Sequence, residues 1–66
     1  MNIKRGDVVA WRGEPHIALK VISDPFPYAG GGDAVVAQRV AKKKADRQQG
    51  LYRVSALVPY VKEETL

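Results

Sequence analysis

A chain of 66 residues and 7.3 kDa has room for one small domain. Such a domain buries only roughly 60% of the surface its unfolded chain exposes, so a deep catalytic pocket with a separate cofactor domain is excluded. There is no cysteine, hence no disulfide, no cysteine-ligated zinc and no thiol nucleophile.

The formal net charge is +4, and its distribution is uneven. Residues 1–37 carry as many acids as bases. Residues 38–53 carry Arg39, Lys42, Lys43, Lys44, Arg47 and Arg53 against the single acid Asp46. A block of this kind attracts polyanions, nucleic acid first among them, although a solvated arm that only keeps the protein soluble has the same composition.

Small secreted domains usually depend on disulfides, so their absence points to a cytoplasmic protein or to a partner that adds core. No apolar run is long enough to span a bilayer. Met1 to Arg5 has a charged start with no apolar stretch behind it, unlike a signal peptide. The whole chain, 1–66, reads as one domain with a mobile basic hairpin tip at 42–50 and a frayed C-terminus at 63–66.

Turn signals are frequent: Gly6, Gly13-Glu14-Pro15, Asp24-Pro25-Phe26-Pro27, Gly30-Gly31-Gly32-Asp33, Gly50 and Pro59. They leave room for strands rather than long helices. The first predicted strand is Asp7–Trp11, with Val9 and Trp11 on one face and Trp11 in the core. A short hairpin connection leads to His16–Ile22, where Ile17, Leu19 and Val21 point one way and His16, Ala18 and Lys20 the other. A third strand covers Ala34–Val40 and a fourth Leu51–Val54. Ser55-Ala56-Leu57 is predicted to form a single helical turn, capped by Ser55. A fifth strand follows at Val58–Val61, marked as an edge by Pro59. Residues 37–48 are rich in helix formers, but a helix there would present a poor apolar stripe, so a long hairpin is favoured.

Five short strands with one helical turn before the last suggest an all-β, strongly bent small barrel. Gly6-Asp7-Val8-Val9 resembles the start of SH3-like barrels such as Tudor, KOW and retroviral-integrase C-terminal domains. Tyr52 to Tyr60 resembles their strand, single turn and closing strand. The type II dihydrofolate reductases, SH3-like chains that build one active site at the centre of a tetramer, are similar over Gly50 to Leu57. Their substrate-contacting glutamine aligns with Gly50 here, which disfavours that enzyme reading.

No other catalytic constellation is evident. His16 is the sole histidine and has no predicted partner. Ser23, Ser55 and Thr65 lie in no nucleophile motif. The carboxylates are scattered, without metal-ligand or acid/base spacing. Gly30-Gly31-Gly32-Asp33 lacks the Lys-Ser or Lys-Thr of a phosphate loop and reads as a flexible turn, with Asp33 folded onto its own backbone. The expectation is a non-enzymatic protein with no cofactor and no metal.

The binding residues expected are Arg39, Lys42, Lys43, Lys44, Arg47 and Arg53 on phosphates, with the loop aromatics Phe26 and Tyr28 and with Arg12 at the neighbouring turn for stacking or groove contacts. For Phe26, packing down as a lid over one barrel end is an equal alternative. The function expected is that of an accessory nucleic-acid-binding module of low sequence specificity, from a bacterium, phage or mobile element, binding DNA or RNA. The alternative is a protein-interaction or homo-oligomerising module that docks a peptide or a subunit. No membrane partner is expected.

Overall fold

The computed structural model describes residues 2–61. It is all-β, a curled antiparallel sheet that forms a half-barrel. The strands are β1 (Val8–Trp11), β2 (Glu14–Val21), β3 (Phe26–Pro27), β4 (Asp33–Arg39), β5 (Gln49–Arg53) and β6 (Leu57–Pro59). Two 3-10 turns, Lys44–Asp46 and Val54–Ala56, are the helical elements among the described residues. The expected frayed end at 63–66 lies outside those residues.

The order is β3-β4-β2-β1-β6, and β5 pairs with β4. Strand β4 is bonded along both edges. On one side it pairs with β5, from Ala34↔Arg53 to Gln38↔Gln49. On the other it meets β3 at Phe26↔Ala34 and β2 at Val21↔Ala37. Registered partners share a face, so Leu19, Val21, Val35, Ala37, Gly50 and Tyr52 all point inward. The core comprises Ile3, Val9, Leu19, Val21, Val35, Ala37 and Leu57, with Tyr52 and Val54 packed against it. Val21 and Val35 are its largest fully buried side chains. A core of seven aliphatic side chains, with no fully buried aromatic among the described residues, is thin, and it lets the sheet curl tightly on itself.

The alternation expected in β2 is present: Leu19 and Val21 are buried and Lys20 is exposed. Pro59 sits on β6, which pairs with β1 alone among the described strands. The helical turn precedes the last strand but begins one residue early, at Val54. Ser55 therefore lies inside it; Arg53 occupies the N-cap and no side chain caps the turn. Residues 37–48 do not form an α-helix: β4 runs to Arg39 and the chain returns through a single 3-10 turn.

The expectation that Trp11 lies in the core is not met, since it is 41% exposed. Regular pairing continued from Val9↔Leu19 would put Trp11 opposite Ile17. The register breaks between Val9 and Trp11, so Trp11 faces Glu14 beside the turn instead. The break lifts the indole beyond the rim of the core. Ala10, 0% exposed, occupies the buried position next to it.

Replacing Val21 by Ala should lower the unfolding free energy by about 2 to 3 kcal/mol in urea denaturation. Val8→Ala, on the exposed face of β1, should change it by less than about 0.5 kcal/mol.

Candidate nucleic-acid interface

The β4–β5 hairpin carries the basic segment. Its paired stem ends at Gln38↔Gln49, and one further bond from the Arg39 N–H to the Gln48 carbonyl closes the base of the tip. Beyond it the chain makes a tied turn. The Asp46 and Arg47 N–H groups donate to the Lys43 and Lys44 carbonyls at 3.0 Å each. Arg47 Nε donates to the Ala41 carbonyl at 2.9 Å, and Nη2 donates to the Lys42 carbonyl at 3.4 Å. Arg47 thus cross-braces the tip from within. The backbone stays bent at the cost of two of its guanidinium N–H groups, and its charge remains at the surface.

Lys42, Lys43 and Lys44 are all exposed on this turn. The side-chain hydrogen bonds of the segment go to main-chain carbonyls or between Gln49 and Gln38, not to carboxylates. A groove of about 320 Å³ opens where the arm leaves the sheet, lined by the cations Lys20, Arg39 and Arg47 together with Gln38 and apolar Ile22. Its lining contains no acid. Lys20 was not among the residues singled out by charge clustering. Its place in the groove follows from register: Lys20 pairs with Gln38 on the outer face. Alternation in β2 predicted that outward direction but not the strand it would meet.

Arg53 belongs to a different part of the molecule. It stands at the far end of β5, opposite Ala34. Its Nη1 donates to the Gly31 carbonyl at 3.0 Å and its Nη2 to the Ala29 carbonyl at 2.7 Å. The guanidinium also lies over the Tyr28 ring, 5.0 Å from the centroid. The three-glycine turn it clamps has positive φ at Gly30, Gly31 and Gly32 (90, 90 and 82°), a conformation that side-chain-bearing residues rarely adopt. The residue folded onto this turn is therefore Arg53. Asp33 instead opens β4, opposite Pro27.

The loop aromatics divide. Phe26 is half-buried in β3 beside Ala34. Tyr28 is 38% exposed, with one face occupied by Arg53. Arg12 is exposed in the β1–β2 turn, and its N–H donates to the Ala56 carbonyl at 2.9 Å. The arm thus brings together Arg39, Lys42, Lys43, Lys44 and Arg47. Arg53, Phe26 and Tyr28 cluster separately around the glycine turn. Ser23, a residue given no role by its sequence context, ties the bend after β2 to β4: its Oγ accepts from the Val36 N–H at 2.9 Å.

No group of three or more His, Cys, Asp or Glu side chains among the described residues is arranged to hold a metal ion. No helix among them is long and apolar enough to cross a membrane. The chain matches no protein-family profile, no curated protein and no solved structure.

Arg53→Gln should cost about 1 to 2 kcal/mol of stability through loss of two charged hydrogen bonds and a cation–π contact at an exposed site. Limited proteolysis should show faster cleavage within residues 28–32 than in the parent protein.

Proposed function

We propose that this chain is a small SH3-like barrel that binds nucleic acid through the phosphate backbone, without catalysis and with low sequence specificity. The observation that carries the reading is the arm: three consecutive exposed lysines on a braced turn, whose root opens into a groove lined by Lys20, Arg39 and Arg47. Main-chain carbonyls hold the Arg47 guanidinium without neutralising it. Phosphate oxygens suit such donors, because an ammonium or guanidinium contact to phosphate releases condensed counterions and needs no base identity. The described residues include no recognition helix to enter a major groove, which fits weak sequence preference.

The strand order β5-β4-β2-β1-β6, with a single 3-10 turn before the closing strand, supports the SH3-like reading. The cytoplasm is the compartment in which a cysteine-free chain would meet such a ligand, and an accessory role in a bacterium, phage or mobile element suits its size. Strand β5 has one edge unpaired among the described strands and carries Leu51 at 46% exposure. That observation favours assembly with a second copy or a protein partner as the second reading.

If about four to six phosphates are neutralised, log K should fall against log salt with a slope of roughly −3 to −5. Changing Lys42, Lys43 and Lys44 together to Ala should flatten that slope by more than about two units and leave the melting temperature unchanged. An unaltered slope in a titration with oligonucleotides would show that the arm is not the contact surface. A stable oligomer by light scattering, with no salt-dependent retention of nucleic acid, would favour the second reading.

A further inference from the structure

The concave side of the half-barrel ends in a second, smaller groove of about 100 Å³, bounded by Trp11, Glu14, Arg39, Gln48 and Tyr52. Core residue Leu19 also lines it. Two of these side chains are aromatic, and each is seated on a glycine. A Cβ at Gly13 would lie 2.5 Å from Cζ3 and 2.6 Å from Cη2 of Trp11, so the indole lies across bare backbone. A Cβ at Gly50 would lie 3.1 Å from Cε2 and 3.3 Å from Oη of Tyr52. Each ring rests against a residue two positions away that offers it no side chain to displace. A Trp that is 41% exposed yet held across a glycine in this way is a positioned surface, and the core gains little from it.

We infer that this groove is a subsite for one unpaired nucleobase, stacked on Trp11 and Tyr52, with its phosphate directed to Arg39. The inference rests on the nucleic-acid reading above and names the part of the ligand that the arm does not reach. Three observations select this occupant. The rings supply π-faces, on which any base stacks. Arg39 lines both this groove on the concave face and the basic groove on the outer face, so its guanidinium at the end of β4 lies within reach of a phosphate on a strand that rounds the sheet end at the root of the arm. Glu14 borders the Trp11 side, where it repels a phosphate and accepts from a base amino group; the anion is thereby turned toward Arg39. A methylated ammonium could also meet these rings, with Glu14 attracting and Arg39 repelling it; the shared Arg39 at the root of the basic arm favours the base with its phosphate, and the cation is an outcome of the test. A base inside a duplex has both faces stacked and cannot enter. The groove therefore confers a preference for single strands.

Trp11 is the sole tryptophan, so its emission reports occupancy directly. The full chain is titrated with a dC decamer, with a DNA duplex of the same length and with inorganic polyphosphate. Affinities come in parallel from fluorescence anisotropy of labelled oligonucleotides. The expected result is quenching by the single strand alone, while the duplex and polyphosphate bind without it. Trp11→Leu should weaken single-strand binding on the order of tenfold and leave duplex affinity and the salt slope unaltered. Gly13→Ala, which displaces the indole but keeps it in the chain, should weaken single-strand binding in the same direction; it serves if Trp11→Leu fails to fold. Salt-dependent binding of the single strand with no quenching and no effect of either variant would overturn this inference alone. Absence of salt-dependent binding to every probe would overturn the parent reading and this one with it. Quenching by trimethyllysine but not by the dC decamer would reassign the groove to a methylated cation.

Discussion

The structure depends on a single strand, β4, being hydrogen-bonded along both edges. Its seven residues join β5 on one side and both β3 and β2 on the other. Through β2 they connect to the β1–β6 end of the sheet. The same strand buries Val35 and Ala37 in the core and continues into the basic arm. The stem of the arm is therefore part of the sheet. It is the extension of the best-paired strand of the molecule, and the Arg39–Gln48 backbone bond carries the pairing to the base of its tip. A thin core can support such an arm because the tip braces itself: Arg47 and the 3-10 turn satisfy main-chain groups that the sheet does not reach.

This arrangement separates the cations into two kinds. Arg53 and Arg47 spend hydrogen bonds on backbone carbonyls and hold turns in shape. Lys42, Lys43 and Lys44 are exposed on the tip. Charge counting treats all of them alike, whereas geometry divides them by what their nitrogens already touch. On the reading proposed here, affinity comes from the lysines and the groove at the root of the arm. The clamp at Arg53 keeps the glycine turn folded at the opposite end of β5. The two aromatic-on-glycine contacts add a further division, because they hold exposed ring surface beside the arm in a domain too small to bury all its aromatics.

Much of the fold was legible in the sequence, because alternation is strong where the strands are regular. In β2, Leu19 and Val21 face inward and Lys20 outward, as period-two spacing requires. Pro59 marked an edge because it has no N–H to donate. The hairpin over 37–48 prevailed over helix propensity because a helix there would have had nothing apolar to bury. The failures occur where register, which is not local, decides the outcome. Trp11 keeps the inward face, opposite core Leu57, but the break in β1–β2 pairing puts it against Glu14 rather than Ile17, at the rim instead of in the core. Arg53 is close in sequence to the arm but lies at its far end, because a five-residue strand carries it away from the tip. Gly50 reads as a missing glutamine in one family comparison. In the folded chain it is the bare backbone on which Tyr52 lies.

The measurement closest to the central claim is residue-by-residue mapping of the bound surface. A uniformly nitrogen-15-labelled chain titrated with a short single-stranded oligonucleotide should show its largest amide shifts across residues 39–48 and at Lys20, together with the Trp11 indole. The amides of residues 24–32 should stay near their free positions. Shifts confined to the glycine turn and β3, or a spectrum unchanged at saturating oligonucleotide and low salt, would contradict the account.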